Sequence, residues 1–145
     1  MPNHPAIAPG RTAVITGGAS GIGLAAAKRY AELEMNVCIA DVDVESLQTA
    51  ASEIAAASPR GKEAVIAVET DVSQIDQVAR LKQQAYDRFG EVAVLMNNAG
   101  TGPGGERRRK IAKIVPICPA TSTLPEPSRG SVAMMYFPSS PPGTA

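Results

Sequence analysis

Twelve residues near the start of the chain, Thr12 to Gly23 (TAVITGGASGIG), limit what the rest can fold into. The apolar run Ala13-Val14-Ile15 enters Thr16-Gly17, and glycines at 17, 21 and 23 lead into a helical pattern at Leu24. A strand that turns abruptly into a helix through glycines leaves backbone N–H groups projecting from the helix N-terminus. Those donors and the helix dipole favour a phosphate. Gly17 permits the sharp turn. Gly21 and Gly23 lack a Cβ, so a pyrophosphate can approach the backbone and the helix can lie close to the sheet. The stretch therefore reads as a dinucleotide-binding turn; the competing reading is an ordinary glycine-rich loop.

The residues downstream favour the dinucleotide turn. Asn36-Val37-Cys38-Ile39-Ala40 is a second, almost wholly apolar strand, and Asp41 ends it 18 residues after Gly23. That is close to the spacing of about 20 residues for a carboxylate that holds an adenosine ribose. Further along, the expected order is a helix over Val44–Ala57, a strand over Ala64–Glu69, a helix begun by Ser73, and a strand over Val92–Asn97. The first helix is expected from Gly21 to about Glu34 with Ser20 as its N-cap, and Ile75, Val78, Ala79, Ala85, Tyr86 and Phe89 as one apolar face of the third. Alternating strands and helices with short connections imply right-handed crossovers and a parallel sheet, the first half of a doubly wound α/β fold with about four strands and three helices. Gly17, Asp41, Asp71 and Asn97 all fall at strand C-termini, where the ligand crevice of such a sheet lies.

The glycine spacing is T-G-x-x-x-G-x-G (Thr16-Gly17-Gly18-Ala19-Ser20-Gly21-Ile22-Gly23), and Asn97-Asn98-Ala99-Gly100 comes at the end of the fourth strand. With Asp71-Val72 after the third, the chain resembles the short-chain dehydrogenase/reductase family over residues 11 to about 100. The resemblance implies a Rossmann-like, NAD(P)-binding oxidoreductase moving hydride between NAD and an alcohol or ketone. It implies cofactor contacts at Thr16, Gly17, Ser20, Gly21, Ile22, Gly23, Asp41, Asp71, Val72, Asn97, Ala99 and Gly100, with Asp71 meeting the adenine amino group. Asp41 can accept both hydroxyls of an unmodified ribose and repels a 2′-phosphate, and Gly18, Ala19 and Ser20 offer no cation. NAD is therefore expected over NADP. Asp43, two residues past the strand end, is the weaker ribose candidate. Alternatives stand beside these roles: Asp41 as an acid favoured by the next helix's dipole, Asp71 as a helix cap, Asn97 as a strand-end hydrogen bonder.

The resemblance implies catalysis by a Tyr with a Lys four residues later and a Ser upstream, because an unassisted phenol titrates near pH 10 and shuttles protons poorly at neutrality. The position four residues after Tyr30 is Glu34, after Tyr86 Gly90 and after Tyr136 Ser140, and no Lys occurs after Lys113. Ser122, Ser131 and Tyr136 thus lack the lysine, and no catalytic residue can be assigned. After Gly105 come Arg107–Lys110 and prolines at 116, 119, 125, 127, 138, 141 and 142 in place of further strand–helix units. Ile111–Val115 can form a short helix or pair with the fourth strand. The expected division is a disordered lead-in at 1–10, an NAD(P)-binding Rossmann-like domain at 11–105 and a non-homologous, disordered Pro-rich tail at 106–145. The tail would arise from a truncated product, an altered splice form or a gene model running into non-coding sequence, and the fourth strand would then lose its neighbour. Two activities are consistent with this: an oxidoreductase represented by its cofactor half, or a catalytically inactive nucleotide-binding fragment or regulatory module.

The formal charge is zero, which gives no general reason to expect nucleic-acid or membrane partners. It divides unevenly: residues 1–100 carry 8 basic and 12 acidic side chains, residues 101–145 carry 6 and 2. The basic run Arg107–Lys110 can serve as a nucleic-acid patch, though a solvated stretch explains it as well. The single histidine, His4, lies between Asn3 and Pro5, and the two cysteines show no metal-ligand or disulfide spacing, so no metal site is expected. Without a secretory or membrane-spanning segment, a soluble cytoplasmic protein is the expectation.

Overall fold

The computed structural model describes residues 4–100, and the backbone of 133–136. Seven elements alternate: β1 Thr12–Thr16, α1 Gly21–Glu32, β2 Asn36–Asp41, α2 Val44–Ala57, β3 Val65–Glu69, α3 Ile75–Phe89 and β4 Val94–Asn97, and β5 Ala133–Tyr136 adds a further strand to the sheet. The strand order is β3-β2-β1-β4-β5. The first four strands are parallel, with Thr16 level with Ala40 on one side and Asn97 on the other, and Asp41 level with Glu69. The chain direction across the sheet reverses at β1, since β2 lies on one side and β4 on the other. That reversal point is where a doubly wound sheet opens a crevice.

Every residue of β1 is buried, and β2 is buried up to Asp41, as expected for strands covered on both faces. Alternation along the strands divides the core. Ala13, Ile15, Val37 and Ile39 pack with Ala27, Tyr30 and Ala31 of α1 and Leu47, Ala50 and Ile54 of α2. Val14, Cys38, Ala40 and Leu95 pack with Val78, Leu81 and Ala85 of α3. At the edge, β3 is only partly buried.

Several boundaries differ from expectation for identifiable reasons. Helix α1 stops at Glu32, because Glu34 takes a left-handed φ of 61° and the Met35 N–H returns to the Tyr30 carbonyl at 3.1 Å. Met35 still reaches the core, fully buried. A 3-10 turn at Gly61–Ala64 delays β3 to Val65. Ile75 and Ala79 of α3 face solvent, whereas Leu81, which the expected stripe omits, is fully buried. The lead-in, expected to be disordered, is folded from residue 4: turns close on Ile7 N–H to His4 O (2.7 Å) and Arg11 N–H to Ala8 O (3.1 Å), and Ala6 is buried in the core. The free outer edge expected for β4 is instead paired antiparallel by β5, with Val94 opposite Tyr136 and Asn97 opposite Ala133. Apart from that strand, the expectations for the tail, including Ile111–Val115 and Arg107–Lys110, lie outside the described residues.

Candidate functional site: the crevice at the strand ends

The glycine loop has the built geometry that its sequence requires. Gly17 and Gly21 have φ of 66° and 54°, which favour glycine. Gly23 has no room for a side chain, since a Cβ there would lie 2.2 Å from the Gly17 carbonyl oxygen and 2.6 Å from Asn98 Nδ2. A Cβ at Gly21 would meet nothing within 4 Å. One glycine thus lets the helix dock tightly against its own loop, and the other faces open space. The Leu24 N–H closes the first turn on the Ser20 carbonyl at 3.2 Å, so the N–H groups of Gly21, Ile22 and Gly23 belong to the unsatisfied end of α1. Ser20 is the N-cap residue of α1, as expected, exposed and with extended backbone, but its side chain makes no capping bond.

Asp41 reaches across to this loop. Its Oδ2 accepts from the Ala19 N–H at 3.3 Å and its Oδ1 from the Val42 N–H at 2.8 Å. A half-buried carboxylate is therefore held beside the turn, on the same side of the molecule as Gly21. The competing role, capping α2, falls to Asp43. Its carboxylate accepts from Glu45 N–H (3.2 Å), Ser46 N–H (3.3 Å) and the Ser46 hydroxyl (2.6 Å). The bonds from Ser46 and then Glu45 hold the Asp43 carboxyl below its ordinary range.

Thr16 and the segment after β4 lock the crevice. The buried Thr16 hydroxyl accepts from the N–H groups of Asn98 and Ala99, both at 3.1 Å, and donates to the Met96 carbonyl at 3.5 Å. Asn98 Nδ2 donates to the Gly17 carbonyl at 3.1 Å. Asn98 is thus a positioning residue that the candidate set, which holds Asn97, Ala99 and Gly100, leaves out. Of those three, Asn97 is half-buried at the end of β4, level with Thr16, and the other two are exposed. At the end of β3, the Thr70 N–H donates to the Asp41 carbonyl at 2.8 Å, which brings Asp71 and Val72, both half-buried, to the neighbouring strand end. The Asp71 side chain also serves its own turn, with Oδ1 accepting from the Ser73 N–H at 2.9 Å. Ile22 is 71 % exposed and Val42 61 %, and both flank the loop.

The residues fit the diphosphate and ribose of a dinucleotide: open space at Gly21, projecting amides, and a carboxylate tethered beside them. Tyr30 is buried in the core, and burial pushes its phenol above the ordinary value. Tyr86 packs on the α3 face, and Tyr136 lies on β5. Among the described residues there is no cluster of side chains able to hold a metal ion, and no helix is long and apolar enough to cross a membrane.

Known proteins are similar to this chain in sequence and fold. The sequence profile of the short chain dehydrogenase family matches residues 11–115. The chain is 44% identical over 97 residues to 1-deoxy-11-beta-hydroxypentalenate dehydrogenase of Streptomyces arenae, a match covering 66% of this chain and 33% of that protein. A short chain dehydrogenase/reductase from Burkholderia phymatum, solved in complex with NAD, superposes with a TM-score of 0.60 at 44% identity, over 65% of this chain and 32% of that one. The C-domain of a bacterial malonyl-CoA reductase, solved with NADP, gives 0.62 at 26% identity over 66% and 15%. The chain thus spans about a third of the length of the curated relatives it matches. Sequence profile, parallel sheet and glycine turn agree: this chain belongs to the short-chain dehydrogenase/reductase family.

Proposed function

We propose that residues 11–100 bind NAD and supply the cofactor half of an oxidoreductase acting on an alcohol or ketone. One observation carries the reading: the Asp41 carboxylate sits within hydrogen-bond distance of the glycine loop, at 3.3 Å from Ala19 N, while Gly21 opens onto free space. The Gly21, Ile22 and Gly23 amides would hold the diphosphate, aided by the positive end of α1. Asp41 would accept the ribose hydroxyls, exchanging its long 3.3 Å bond from Ala19 for shorter O–H···O⁻ bonds. Val42, Asp71 and Val72 would meet the adenine, and Asn97, Ala99 and Gly100 would border the cofactor beyond Gly17. Thr16 and Asn98 act indirectly, by fixing the loop and the segment after β4 against each other. A bound nicotinamide would supply the hydride acceptor or donor.

NAD is favoured over NADP because no cation stands in the loop and Asp41 would meet the ribose edge that a 2′-phosphate would occupy. Among relatives solved with a cofactor, one carries NAD and another NADP, so the family alone does not choose. Calorimetry on the 145-residue chain tests the proposal. NAD should bind, and Gly21→Val or Asp41→Ala should weaken it at least tenfold with the fold retained. Failure of NAD to bind to the folded chain would refute it.

A further inference from the structure

A groove of about 240 Å³ runs beside the glycine loop, lined by Ala19 on one side and by Glu45, Ser46, Thr49, Ala50 and Glu53 of α2 on the other. Ala19 joins it to the site already described, because the Ala19 N–H donates to Asp41. Two of the six residues that line it, Glu45 and Glu53, are acidic. Residues 41–59 include Asp41, Asp43, Glu45 and Glu53 but no Lys or Arg, and residues 12–27 carry no charge at all. Lys28, on α1, is ion-paired with Glu53. The Glu45 and Ser46 amides at the start of α2, donors that could draw an anion, are already taken by Asp43.

We propose that this groove, and not Asp41 alone, sets the choice between dinucleotides without and with a 2′-phosphate. Glu45 is a second specificity-determining residue. Glu53 acts through Lys28, holding the nearest cation of α1 in an ion pair when it could otherwise face the groove. The inference rests on the reading of this crevice as an NAD site and extends it to the groove wall. A phosphate monoester carries close to two negative charges at neutral pH. A carboxylate within a Debye length of about 8 Å of it, across partly solvated space, disfavours binding by roughly three- to tenfold. Removing one carboxylate should therefore shift selectivity by that factor, and freeing Lys28 should do at least as much.

The test titrates the 145-residue chain with NAD and with NADP by calorimetry, for the wild type, Glu45→Gln, Glu53→Gln and the double variant. Both side chains are exposed, so the variants should melt like the wild type. The ratio of Kd for NADP to Kd for NAD should fall about three- to tenfold in each single variant and further in the double. The gap between the ratio of Glu45→Gln and that of the wild type should narrow as salt rises, since the repulsion from Glu45 is screened. A ratio unmoved by both substitutions, with NAD still bound, overturns the groove proposal. Absence of NAD binding in the wild type overturns the site reading beneath it.

Discussion

Gly23→Ala tests how tightly α1 is docked on its loop. An added methyl would stand 2.2 Å from the Gly17 carbonyl oxygen, 2.6 Å from Asn98 Nδ2 and 2.9 Å from the Gly17 carbonyl carbon. Non-bonded carbon contacts are optimal near 3.5–4.0 Å, so the helix must retreat by roughly 1 Å or more. The carbonyl cannot yield alone, because it accepts the Asn98 side chain at 3.1 Å. Overpacking of this kind costs about 1–3 kcal/mol. Loss of the Asn98 bond adds about 1 kcal/mol, and alanine's better helix propensity returns about 1 kcal/mol. The net loss is about 2 kcal/mol. For a folded unit near 100 residues that lowers Tm by about 8–16 °C. Gly21→Ala is the control: its Cβ meets nothing, and only the positive φ is strained, at about 1–2 kcal/mol. Thermal unfolding by circular dichroism should therefore rank Gly23→Ala as the more damaging. A shift at Gly23 within about 3 °C of the wild type, or below that at Gly21, would refute the close approach.

Three more outcomes are expected from the same geometry. Thr16→Val keeps the shape but leaves the Asn98 and Ala99 N–H groups without their acceptor, which should cost about 2 kcal/mol and weaken NAD binding; wild-type stability and affinity would contradict the positioning role. Leu81→Ala, which empties a fully buried site against the second face of the sheet, should cost about 2–5 kcal/mol in denaturant unfolding, and a loss under 1 kcal/mol would mean that α3 is not docked there. Burial pushes the Cys38 thiol up to about 12 from an ordinary 9.0; its contribution to stability should hold below pH 9 and decline as pH rises towards 12, because in that window this thiol ionises only in the unfolded chain. In a Cys118→Ala background at pH 8, a thiol reagent should label Cys38 only upon unfolding, and rapid native labelling would contradict its burial.

Much of the fold is legible in the sequence because the signals are local. The bounds of α2 come from an alanine-rich helical pattern between Asp43 and Ser58-Pro59, and the apolar run of β2 from its burial on both faces. Glycine spacing and the acid at the end of β2 locate the crevice, since both depend on backbone chemistry that the residue types state directly. What stays hidden depends on partners distant in sequence. Two adjacent asparagines look alike on paper, yet only Asn98 meets Gly17, 81 residues away. Asp41 and Asp43 are both plausible helix-terminal acids, and the turn between β2 and α2 decides which one caps. Ala6 enters the core through contacts that no prolines-and-turns rule conveys. The pairing of β5 with β4 joins segments separated by a long, proline-rich stretch without periodicity.

The central claim is that the α1 amides and Asp41 together receive NAD. The most direct measurement is an amide NMR titration of the isotopically labelled 145-residue chain with NAD. The account predicts the largest saturable shifts at Ala19, Gly21, Ile22, Gly23 and Val42, and their loss in Asp41→Ala. Saturable shifts confined to α3 and the β3 edge, or none at the glycine loop, would contradict it.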